Sequence, residues 1–138
     1  MAFKVGQRAD FSKTISETDV YNFAGICGDF NSVHINRIEA EKSIFGKQVA
    51  HGMLCASLIS TVLGMKLPGP GTIYMGQELT FCAPVYIGDT ISATVEIKEL
   101  LPKGNAILDT VVKNQNGLVV IKGKAKVKLP SSDVVKGT

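Results

Sequence analysis

The sequence is poor in several residues on which common chemistries depend. It holds two histidines, His34 and His51, and two arginines, Arg8 and Arg37, and its net charge is only +3. With no arginine-rich run and no basic patch interleaved with aromatics, a nucleic acid partner is not expected. There are three cysteines, Cys27, Cys55 and Cys82, an odd count without a C-x-x-C pair, which argues against a disulfide framework or a zinc site. Each lies in an apolar stretch, and buried free thiols are expected. No H-E-x-x-H, G-x-x-x-x-G-K-[ST], G-x-G-x-x-G or G-x-S-x-G pattern is present, so no metal site, no cofactor and no elbow serine is expected. The longest apolar stretch, residues 53–65, is broken by Ser57, Ser60 and Thr61 and is too short to span a bilayer. MAFKVGQRADF has no apolar leader segment. A soluble, cytoplasmic protein with no membrane contact is expected.

What is present is an ordinary globular balance, 45% hydrophobic and 20% charged over 138 residues, which suits one domain spanning 1–138. The tail after Pro130, SSDVVKGT, is expected to fray. SETDVYNFAGICGD reads as a helix. Ser16 and Asp19 resemble a capping box, Val20, Phe23, Ala24 and Cys27 form one buried stripe, and Gly28 suits a left-handed stop. NRIEAEKSIFGK reads as a short helix capped by Asn36 and ended by Gly46. From about Gly52 to Lys66 runs the longest helix, about 15 residues or 23 Å. Its apolar residues cover nearly every face, which predicts burial.

The remainder is β. Residues 72–82, 89–101, 106–114 and 118–129 have strand composition, with turns at PKGN and NQNG. In the last strand Lys122, Lys124, Lys126 and Lys128 alternate with Ile121, Gly123, Ala125, Val127 and Leu129, giving a solvated face and a core face. Attraction of an anionic ligand is the other reading of the lysine row. KVGQRADFSKTI can supply a fifth strand. The expected fold class is therefore α+β, an antiparallel sheet of about five strands wrapped around a long buried central helix.

Two segments carry candidate chemistry. In GDFNSVH, Asp29, Asn31 and His34 follow a helix end in what reads as an irregular segment, so their side chains can converge. A histidine exchanges protons near neutral pH, a carboxylate can orient it or a water, and an asparagine can fix the loop. Such residues are also common in plain loops. His51-Gly52 stands at the start of the long helix, where unpaired amides at the positive dipole end can hold an oxyanion and glycine permits close approach. A tight turn explains the glycine equally well. Ser57 and Ser60 on the apolar helix fit back-bonds to the carbonyl four residues earlier, the reading favoured for Ser57, or support of a reactive group.

DFNSVH at 29–34, VAHGMLCASLIS at 49–60 and GTIYMGQELTFCAPVYIGDTI at 71–91 together resemble the MaoC-like (R)-specific enoyl-CoA hydratases over about Val5 to Pro130. The resemblance implies a hot dog fold and a homodimer, with pairing into a dimer of dimers open, and an acyl-CoA thioester as substrate. It places Asp29 and His34 as the catalytic pair, Asn31 and Ser60 as supporting residues, and the Gly52 amide as donor to the thioester oxygen, with His51 and Met53 beside it. Leu63 is expected to limit acyl length. Ser32 departs from the proline that the family often has there. Family members serve polyhydroxyalkanoate precursor supply, fatty-acid oxidation or fermentation. The alternatives are a hot dog acyl-carrier-protein dehydratase, an acyl-CoA thioesterase, and a non-enzymatic acyl-CoA binding module, the last requiring that Asp29 and His34 do not face each other.

Overall fold

The computed structural model describes residues 2–131; the predicted frayed tail lies almost entirely outside the described residues. Five strands, β1 (Arg8–Thr14), β2 (Ile73–Phe81), β3 (Thr90–Leu100), β4 (Asn105–Lys113) and β5 (Val119–Lys128), form one sheet in the order β1-β3-β4-β5-β2. Every neighbouring pair is antiparallel. Helices α1 (Glu17–Cys27), α2 (Ser32–Ile35), α3 (Arg37–Lys42) and α4 (Gly52–Met65) all lie between β1 and β2 in the chain.

The period-2 pattern explains which sheet face is covered. Ile91, Ala93, Val95 and Ile97 of β3 are buried, as are Ala106, Leu108 and Val112 of β4 and Ile121, Ala125 and Val127 of β5. They close on Cys55, Leu58, Ile59, Val62 and Leu63 of α4 in one core. The four β5 lysines point to the opposite, exposed face, as the alternation predicts. There Lys124 stands opposite Glu78 of β2 and Asp109 of β4.

Several local expectations need correction. Helix α4 is not buried all round: Met53 and Met65 are 58% and 71% exposed, because one side of the helix faces away from the sheet. Cys55 is buried, but Cys27 and Cys82 are exposed. Cys27 ends α1, where the buried stripe of Val20 and Ala24 has run out, and Cys82 follows the last residue of the edge strand β2. Burial pushes the Cys55 thiol up to about 12, so it is an inert core group. Helix α3 ends at Lys42, four residues before Gly46, where Ser43 takes an extended conformation. The PKGN turn is a single 3₁₀ turn, Pro102–Gly104, with Lys103 at φ 66°.

Candidate active site

The GDFNSVH stretch is more ordered than its composition suggests. Gly28 closes α1 in the left-handed region at φ 84°, and its amide donates to the Ala24 carbonyl at 2.8 Å. Asp29 follows at once, and its Oδ1 accepts from the Asn31 amide at 3.1 Å. Asn31 in turn caps α2, its Oδ1 accepting from the Val33 amide at 3.3 Å. The expected irregular segment thus contains one helical turn, and Asn31 acts on the backbone of the loop. That turn carries His34 into a half-buried position.

His34 is oriented from the other side by the segment before α4. Its Nδ1 lies 2.7 Å from the Val49 carbonyl. A carbonyl only accepts, so Nδ1 bears the hydrogen and Nε2 carries the lone pair of the neutral ring. The Gln48 amide nitrogen donates to the His34 carbonyl at 2.8 Å, and the Val49 amide to the Val33 carbonyl at 3.1 Å. His51, the cap residue of α4, makes no side-chain cap; its Nε2 lies 2.9 Å from the Asp29 carbonyl. The two imidazoles stack, with centroids 3.8 Å apart and 25° between planes.

These side chains line a cavity of about 580 Å³ together with Phe45, Val85, Phe81 and Cys82. Asp29, Asn31, His34, His51, Gly52 and Met53 all belong to it. One donor atom from each of Asp29, His34 and His51 lies within 4.8 Å of the others, so the acid and the two rings are brought close together. A divalent cation could use that set, but stacked rings hold their lone pairs in nearly parallel planes, and one nitrogen of each ring is already committed to a carbonyl. Binding a metal would require the stack to open.

Gly52 begins α4, and the first amides of a helix have no partner within it. A Cβ at Gly52 would meet the Phe81 ring at 2.6 and 2.8 Å, so glycine here lets an aromatic ring close on the helix start. Phe81, 50% exposed at the end of β2, is a wall of the cavity that sequence reasoning missed. Its signal was an aromatic residue on an exposed strand position, which has no meaning until β2 is known to be an edge.

Two predicted residues fall elsewhere. Ser60 lines a neighbouring, mostly apolar cavity of about 340 Å³ with Phe23, Ala56, Tyr74 and Gln77, and Met53 belongs to both cavities. Leu63 is 1% exposed inside the core and lines neither of these cavities, because the face of α4 that carries it packs on the sheet. Ser57 donates to the Leu54 carbonyl at 2.5 Å, a back-bond three residues earlier.

The sequence pattern of the MaoC like domain family matches residues 2–119. The chain belongs to that family. It is 48% identical to an (R)-specific enoyl-CoA hydratase of Rhodospirillum rubrum over 93% of this chain and 89% of the relative. It is 42% identical to another of Aeromonas caviae, over 94% of this chain and 97% of the relative. The solved structure of an (R)-hydratase from A. caviae involved in PHA biosynthesis superimposes with a TM-score of 0.91 at 42% identity, covering 94% of this chain and 98% of that one. The sheet wrapped on α4 is a hot dog fold.

Proposed function

We propose that the protein is an (R)-specific enoyl-CoA hydratase, adding water reversibly to trans-2-enoyl-CoA to give (R)-3-hydroxyacyl-CoA. The observation that carries this reading is the meeting of the Asp29 carboxylate and the His34 ring in a cavity that ends at the first amides of α4. Conjugation to the thioester makes Cβ electrophilic. The His34 lone-pair nitrogen and the Asp29 carboxylate hold one water and take a proton from it while its oxygen bonds to Cβ. Electron density moves to the thioester oxygen as an enolate, and the Gly52 amide donates to that oxygen. The enolate collapses as the pair returns the proton to Cα, so the elements of water are added across the double bond and nothing else is consumed. Asn31 keeps the Asp29 turn in shape, and no cofactor takes part.

The chain works as one domain over residues 1–138 and as a homodimer in the cytoplasm. Support for the dimer comes from edge strand β2, which leaves Ile73 57% and Met75 51% exposed. An unpaired apolar strand edge invites a second strand. Among the described residues, no helix is long and apolar enough to cross a membrane.

The test is one assay run in parallel on crotonyl-CoA and on the crotonyl thioester of an acyl carrier protein, with the product resolved chirally. Loss of the enoyl absorbance without release of free CoA, and an R product, is expected. Free CoA would mean a thioesterase. Hydration of the carrier-protein thioester alone would mean the acyl-carrier-protein dehydratase, and binding without turnover a binding module.

A further inference from the structure

His51 departs from the chemistry usual at its position. Helix starts favour Ser, Thr, Asp or Asn, whose short side chains satisfy the first amides. His51 makes no such bond, yet it is 2% exposed, one of two buried polar residues among those described. Its ring nitrogen Nε2 faces the Asp29 carbonyl at 2.9 Å and must be the protonated one, since the carbonyl can only accept. Nδ1 is buried with no partner. A buried unpartnered nitrogen is unfavourable, so the ring stays where it is because of its other contacts. One face lies against His34, and the ring makes a T-shaped contact with Phe23, with centroids 5.0 Å apart.

Segment 48–52 therefore fixes each reactive group separately. Val49 holds the His34 ring nitrogen, His51 holds the Asp29 backbone, and Gly52 opens the helix whose first residues line the cavity. Residues 49 and 51 are two apart on one extended piece of chain, so the spacing of acid and imidazole is copied from the spacing of two adjacent anchors. We infer that His51 is a positioning residue: its Nε2–H sets where the Asp29 backbone sits relative to the His34 ring. This rests on the hydratase reading.

Three substitutions separate the hydrogen bond from the packing. In His51→Gln the side-chain amide donates from about the reach of Nε2. In His51→Asn it donates from about the Nδ1 position and falls short. His51→Phe keeps the stack and fills the space without a donor. A misplacement of about 1 Å can cost about 100-fold in rate, so Asn and Phe are expected to lose about 100-fold in kcat on crotonyl-CoA with KM changed by less than about threefold. Gln is expected to recover to within about tenfold of the parent. Should Asn fail to fold, the Phe and Gln variants carry the comparison. A Phe variant within about threefold of the parent in kcat, or a Gln variant no better than Phe, overturns the inference. Crystal structures of the parent and the Phe variant give a readout that needs no turnover. An Asp29 backbone displaced by about 1 Å from the His34 ring supports positioning even if the parent proves not to hydrate enoyl-CoA. An undisplaced Asp29 rejects positioning even if the parent does.

Discussion

Helices α1 and α4 begin in opposite ways. At the start of α1, Ser16 accepts from the Asp19 amide at 3.0 Å while Asp19 accepts from the Ser16 amide at 2.9 Å, a complete capping box. At the start of α4 stands a histidine that caps nothing and reaches 2.9 Å to the Asp29 carbonyl instead. The first arrangement satisfies its own helix. The second leaves the first amides of α4 unsatisfied by any side-chain cap, at the wall of the cavity. Local rules are followed where the helix only has to be stable and broken at the cavity wall, where the proposed reaction calls for backbone donors.

The largest effect should appear in the cavity that this second helix start lines. Asp29→Asn and His34→Ala each remove one positioned acid–base group, worth about 10²–10⁴-fold. Crotonyl-CoA hydration should fall at least that far. The thermal unfolding midpoint should stay near the parent value in Asp29→Asn, because Asp29 is exposed, and drop modestly in His34→Ala, which loses the Val49 bond and the stack on His51 while remaining folded. A variant keeping most of its activity would sink the assignment.

How much of this was legible in the sequence follows from how local each feature is. The α1 capping box, the Gly28 stop and the β5 alternation depend on residues within a few positions, and each appears as read. So do four of the strands to within two residues, because apolar alternation and turn residues are short-range signals. The Asp29–His34 pair was visible as a cluster, but its weight came from a second segment some twenty residues on, and proximity of the two is a tertiary fact. Phe81 against Gly52, the core position of Leu63 and the exposure of Cys27 and Cys82 depend on which strand is an edge and which face of α4 meets the sheet. No spacing encodes that.

Glycines sharpen the contrast between the two helices. A Cβ on Gly52 of α4 would sit 2.6 Å from the Phe81 ring, while a Cβ on Gly25 of α1 meets nothing within 4 Å. Gly52→Ala should destabilise by about 1–3 kcal/mol through overpacking. Gly25→Ala should stabilise by about 0.5–1 kcal/mol, because it only raises helix propensity. Urea unfolding measures both. In a Phe81→Ala background the penalty at Gly52 should shrink, and an unchanged penalty would show that the ring is not its cause.

A smaller loss is expected from Ser16→Ala, which removes the α1 cap and should cost about 1 kcal/mol. Its kcat should match the parent, since Ser16 lies outside the cavity lining. A drop in kcat would mean that the two helix starts are coupled and that the division of labour between them is not real.

The finest test lies in acid. Asp19 accepts from Lys13 at 2.7 Å and from the Ser16 amide, and these bonds hold its carboxyl below the ordinary value. A carboxylate depressed in the folded state contributes stability above its unfolded pKa of about 4 and loses it as pH falls through the folded value. Asp19→Asn should therefore be less stable than the parent by a constant margin from about pH 7 to pH 5. The margin should narrow below about pH 4 as the parent's carboxyl takes up its proton. The Lys13 pair is part-exposed, so its share of the margin is about 0–1 kcal/mol, weakened by salt, and the cap supplies the rest. Unfolding curves at two salt concentrations test the charge directly: a margin that vanishes in salt would assign the effect to the Lys13 ion pair, whereas a margin that survives salt would assign it to the charged bond from the Ser16 amide.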